Sequence, residues 1–213
     1  MEIFTFILLF ATGVYVLKSR DQKSRIVFLA KHLGRYPIER LMQTLIEGYA
    51  RALGEPDAER QAQIFKLLAT TELELREQFN RFADEFARVD VVRARVSKLT
   101  FGLPYASRLF PAATFDLRRA MTIHAQAIVD ATAIPVTTPS DLPDAATALK
   151  LSKSRAFTIS AELLLVQHTC HWFCRSKMIA SARLLARHKT SYTQVLVAVS
   201  PDTRSAYLAL TAP

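Results

Sequence analysis

The chain has 213 residues, 50% hydrophobic and 22% charged, so it is long enough to bury a core and is not a disordered polymer. Its glycines stand apart at 13, 34, 48, 54 and 102, which excludes the G-x-G-x-x-G and G-x-x-x-x-G-K-[ST] phosphate loops, and two cysteines exclude a disulfide framework. A formal net charge of +9 and a pI near 9.8 favour anionic partners, whether nucleic acid or anionic lipid.

Residues 3–17 carry no charge. As a helix they reach about 22 Å, short of a hydrocarbon core of about 30 Å, a deficit that bilayer thinning and a snorkelling Lys18 stem can make up. Only Glu2 and the α-amino group precede the run, whereas Lys18, Arg20, Lys23, Arg25 and Lys31 follow it against a single Asp21. A secretory signal carries its positive charge before the apolar run and small residues at a cleavage site after it, and Lys18-Ser19-Arg20-Asp21 offers no such site. The expectation is an uncleaved transmembrane anchor over 1–18, with the amino terminus outside and the bulk of the chain cytoplasmic. There Cys170 and Cys174 would be reduced thiols. An alanine- and arginine-rich composition points to a bacterial inner membrane.

Residues 19–36 read as a basic juxtamembrane stalk, a helix in which Ile26, Val27, Leu29, Ala30 and Leu33 alternate with cations near anionic head groups. Lys18, Arg20, Lys23 and Arg25 form its membrane flank. Gly34 stands like a helix C-cap residue, and Pro37 opens a first helical region over 37–133. Within it Ile38, Leu41, Leu45, Tyr49 and Leu53 make one apolar stripe, and Gly54, Pro56 and Asp57 separate it from a long helix expected over 57–98. Leu75, Phe79, Phe82, Phe86 and Val89 form a heptad-like seam suited to a bundle core or, for the phenylalanines, to a partner. Glu72, Glu74 and Glu77 read as a solvated face. A break with Gly102, Pro104 and Pro111 covers 99–111, and helix is expected from Pro111 to Ala133, with Leu117, Met121, Ala125 and Ile128 inward.

Residues 134–143 hold three prolines and no periodicity, the composition of a linker. A second helical region, expected to pack on the first, spans 144–213, with a possible break near Ser152–Arg155. Residues 156–173 are nearly all apolar, but Glu162 within the run would cost about 2.5–3.5 kcal/mol at mid-bilayer, so they read as a buried core helix. Val195–Val199 resembles a strand with nothing to pair against, and helix is preferred.

The one cluster of metal-ligand types is His168, Cys170, His171 and Cys174. No second cysteine pair accompanies it, and the four side chains spread around one helix, so the expectation is no cofactor and no metal. No G-x-S-x-G or H-E-x-x-H motif is present. Basic residues gather around the central break (Arg93, Arg95, Lys98, Arg108, Arg118 and Arg119) and near the end of the long helix (Arg175, Lys177, Arg183, Arg187 and Lys189), fit for phosphate backbones or an anionic leaflet. The sequence therefore supports an all-α, membrane-tethered scaffold or adaptor, non-enzymatic, acting through protein–protein contact. Phe79, Phe82, Phe86, Arg183 and Arg187 are its candidate contact residues. The alternatives are a metal- or redox-dependent regulator using the 168–174 cluster, and a membrane-held nucleic-acid binder.

Overall fold

Apolar residues spaced three and four apart become nine α-helices among the described residues, which are 2–133 and 145–212 of a computed structural model. The expected linker lies outside them. Helix α1 runs unbroken over Glu2–Leu33 and is the one described helix long and apolar enough to cross a membrane. Helix α2 (Ile38–Gly54) buries Ile38, Leu41, Leu45 and Tyr49 on the expected stripe. Asp57 caps α3 (Ala58–Phe86) by accepting from the Arg60 N–H at 2.9 Å. Gly48 lets α2 and α3 close on each other, since a Cβ there would lie 2.6 Å from Leu68 Cδ2.

The expected 57–98 helix stops at Phe86. The chain turns, and Asp90 accepts from the Arg93 N–H at 2.9 Å. Strand β1 (Arg95–Ser97) then pairs antiparallel with β2 (Thr114–Asp116), Val96 opposite Phe115. Helix therefore does not run from Pro111. A short 3₁₀ turn (Pro111–Ala113) and β2 come first, after the single-turn helix α4 (Ala106–Leu109). Helix α5 is Leu117–Ala133, with Leu117, Met121, Ala125 and Ile128 buried as expected. Strand pairing wins over 95–97 because Val96 and Phe115 each bury one side chain from a three-residue ribbon.

Helix α6 (Ala145–Cys174) passes straight through Ser152–Arg155. Ser152 returns its hydroxyl to the Ala148 carbonyl at 3.0 Å, so it does not compete with the helix. The break falls instead at Arg175–Ser176, where Ser176 caps α7 (Lys177–His188). Helices α8 (Tyr192–Ala198) and α9 (Pro201–Thr211) follow, the first opened by a capping box of Ser191 and Gln194. Residues 195–198 are thus helical.

The core is continuous across the segment that joins α5 to α6. Phe79, Phe82 and Phe86 of α3 pack in one cluster with Met121 and Ile128 of α5 and with Ile159, Leu163, Trp172 and Phe173 of α6. Glu72 is buried in it rather than solvated. Its Oε1 accepts from Tyr49 Oη at 2.5 Å, its Oε2 pairs with Arg155, and Arg155 also donates to the Thr132 carbonyl at 3.3 Å, so α2, α3, α5 and α6 meet at one carboxylate. Burial raises the Glu72 carboxyl, and the Tyr49 hydroxyl and Arg155 charge oppose it. Glu162 is likewise internal, and its Oε1 accepts the Ser200 N–H at 3.0 Å, at the start of α9. The acidic group that argues against a membrane span in α6 thus serves a helix N-terminus.

Candidate functional site

Two places hold the residues that the sequence singles out: the junction of α1 with the bundle, and a cleft between α6 and α7.

At the junction, the flank residues separate by helix face. Arg20 and Lys23 point away from the bundle and are exposed; Lys18 is partly buried. Arg25 is not a head-group-facing flank residue. It faces Asp21 one turn back at 3.3 Å, donates through Nη1 to the carbonyls of Arg95 (3.2 Å) and Phe173 (3.4 Å), and through Nη2 to Ser107 Oγ at 2.5 Å. One guanidinium thus ties α1 to β1, α4 and the end of α6. Asp21 accepts from the Tyr105 N–H at 3.2 Å. Further along, Phe28 packs its ring on Phe86 and Phe173, with centroids 5.9 and 6.0 Å away, and Arg93 lies 4.5 Å above the Phe28 ring. Residues 19–33 are therefore not a free stalk: their inner face is part of the core.

The cleft of about 400 Å³ is lined by Gln167, His168 and His171 of α6 and by Arg183, Arg187 and His188 of α7. Both arginines are exposed, one turn apart on the same face of α7. His188 Nε2 donates to Gln167 Oε1 at 3.1 Å. A smaller cavity of about 160 Å³ adjoins it, sharing Gln167, His171 and Arg187, with Phe79, Phe82 and Met121 in its apolar wall. Burial, then Arg183 and Arg187, lowers the His171 pKa, so the formal positive charge of the cleft rests on the arginines.

The cysteine–histidine cluster does not converge. His168 turns to Ser181 Oγ (3.1 Å) and stacks on Tyr192, with centroids 4.3 Å apart. His171 lines the cleft, and burial pushes the Cys170 thiol up to about 12 and the Cys174 thiol up to about 11. Among the described residues no group of three or more His, Cys, Asp or Glu side chains is placed to hold a metal ion. Phe79, Phe82 and Phe86, 1%, 1% and 0% exposed, are core side chains and present no contact surface to a partner. The central basic cluster is dispersed as well. Arg118 grips Asp116 and the Val89 carbonyl, Arg93 covers Phe28, and Lys98 reaches the Ala212 carbonyl. Of the five candidate contact residues, Arg183 and Arg187 are the exposed ones.

Sequence reasoning missed a buried triad behind the cleft. His124 Nε2, Thr169 Oγ1 and Tyr207 Oη lie at 2.9 Å steps, joining α5, α6 and α9. Thr169 spends its proton on the Leu165 carbonyl, so the other two groups donate to it and His124 carries its proton on Nε2. Burial holds the His124 pKa down to about 3. Histidine on an apolar α5 face was the available signal. Searches against known protein families, curated proteins and solved structures found no match to this chain.

Proposed function

We propose that this protein is a membrane-tethered helical scaffold or adaptor, held by α1 on the cytoplasmic face of a bacterial inner membrane and acting through contact with an acidic protein partner. The observation that carries the reading is the division of α1: residues 3–17 are uncharged and stand clear of the bundle, while residues 18–33 are fixed to it. A helix of that kind presents its bundle at one height and one angle, and confinement to a membrane layer raises its effective concentration for partners in the same layer. The cations after residue 17, against one amino-terminal acid, support the cytoplasmic side. Arg183 and Arg187, exposed beside the α6–α7 cleft, supply the contact, since paired guanidinium groups recognise carboxylates well.

The test has two arms in the native cell, both with a carboxy-terminal tag on the full chain. The tag is expected to resist protease in intact cells and to be digested after permeabilisation. Crosslinking is expected to capture a membrane-bound protein that an R183E/R187E variant loses while remaining folded. Digestion of the tag in intact cells, or a mature chain beginning near residue 20, overturns the tether. Undiminished capture by R183E/R187E overturns the contact site.

A further inference from the structure

The segment 99–105 runs from β1 to α4 beside Asp21 and Arg25 of α1 and Arg175 and Ser176 at the end of α6. Gly102 sits against Lys18, with its Cβ position 3.5 Å from Lys18 Cε and 3.6 Å from the Arg175 carbonyl oxygen. Three residues on, the Tyr105 N–H is held by Asp21, and Tyr105 takes a left-handed conformation (φ 54°), unusual for an aromatic residue. The loop is thus pinned from both sides at the height where the uncharged run of α1 ends. Its two large side chains flank Gly102 and are not pinned: Phe101 is 70% exposed and Leu103 49%. A polar loop tip is the ordinary expectation, and paired exposed apolar groups beside the end of an apolar span suit a lipid surface.

We propose that this loop is a second membrane contact, in which Phe101 and Leu103 enter the lipid interface beside the point where α1 leaves the bilayer. The proposal rests on the reading of α1 as a span and deepens it. The occupant follows from continuity. The apolar run is shorter than a hydrocarbon core by about 8 Å, so thinning draws Lys18 into the interfacial layer, and whatever lies against Lys18 is drawn with it. Exposed Arg20 borders the same end, suited to anionic head groups. Leu109 and Phe110 are exposed too, but they follow Ser107, which bonds Arg25, seven residues and about 10 Å further along α1 from Lys18; they lie outside the contact. With α1 and the loop both engaged, the bundle has two fixed points on the lipid surface and cannot swivel about the anchor.

The experiment uses full-length protein in phosphatidylcholine/phosphatidylglycerol vesicles that mix acyl chains brominated near the head group with chains brominated near the methyl end, and reads tryptophan quenching. The native Trp172 is 2% exposed and serves as a constant background. Single variants F10W, F101W and L67W each add one indole. Leu67 reports the far side: α3 meets Phe28 and His32 of α1 through Phe86, Phe82 meets Tyr36 beyond the end of α1, and Leu67 lies about 28 Å of helix back from Phe86. Both F10W and F101W are expected to lose up to about half of their total emission, because bromine reaches one indole of two, while L67W loses none. Quenching of F10W without F101W overturns the loop contact and leaves the anchor standing. Quenching of F101W without F10W keeps the contact and overturns the anchor. Equal quenching of L67W and F101W means unspecific adhesion and overturns the contact, as does quenching of none of the three.

Discussion

Residues 2–17 and 18–33 are equal halves of one unbroken helix, yet the first leaves nearly every large apolar side chain in the open and the second buries Phe28 and Leu29. Composition does not separate them cleanly, since the second half also carries Ile26, Val27 and Leu33. Polar anchoring does. Asp21 and Arg25 bond to backbone and side-chain groups of the bundle, whereas the first half has no charged group after Glu2 with which to do so. The difference teaches that a rigid tether needs a polar lock next to its apolar span, because an apolar face alone fixes neither register nor rotation.

The largest effect expected from breaking this comparison is a pair of phenylalanine truncations. F28A removes a ring packed among Phe86, Phe173 and His32 and should cost about 3–5 kcal/mol of unfolding free energy in guanidinium melts of the full chain in nonionic detergent. F10A, on the exposed half, should change it by less than about 0.5 kcal/mol. Equal costs would mean that the first half also packs on the bundle. Next in size is R25A, which leaves Asp21 and the carbonyls of Arg95 and Phe173 short of a donor. It should cost about 2–3 kcal/mol and open the α1 junction to limited proteolysis around residues 18–25.

The fold was legible where a side chain's periodicity decided its burial. The α2 stripe, the inward face of α5 and the buried α6 could all be read, because their apolar residues recur at helical spacing. What could not be read is what depends on contact between distant residues. Nothing near Arg25 distinguishes it from Arg20 except the face it takes, and that face is set by Ser107 and Phe173, 82 and 148 residues away. Glu72 looks like its neighbours Glu74 and Glu77 until Tyr49 and Arg155 reach it. The β1–β2 ribbon is too short to show an alternation. Of the candidate site, Arg183 and Arg187 were legible as one helix face, whereas the loop carrying Phe101 read only as a break.

Acid should loosen the bundle through its buried histidines, and the direction follows from which state binds the proton. Burial lowers His124 and His168 to about 3 from 6.5, so the unfolded chain takes up protons first. The stability each confers is fully present above about pH 6.5 and is lost as pH falls from there toward 3, amounting to about 2 kcal/mol per histidine between pH 7 and 5. Glu72 and Glu162, raised by burial, act in the opposite sense. An H124Q variant, which keeps a donor near the Nε2 position, should therefore lose about 2 kcal/mol less than the parent chain over that interval in denaturant titrations at pH 7 and 5. An unchanged slope would mean that His124 is reached by water.

The smallest effect on folding is expected at the cations that share a sequence stretch with Arg25 but face outward. Arg20 and Lys23 make none of its bonds to the bundle, so R20Q/K23Q should shift the unfolding free energy by less than about 0.5 kcal/mol. If their work is with lipid, the loss appears elsewhere. Each cation near an anionic surface contributes about 1 kcal/mol, so the double variant should transfer between vesicles more readily than the parent when phosphatidylglycerol is present and equally when the vesicles are zwitterionic. Sensitivity to anionic lipid with unchanged stability would assign Arg20 and Lys23 to the membrane and Arg25 to the bundle. Lost stability instead would mean that all three cations belong to the same internal lock.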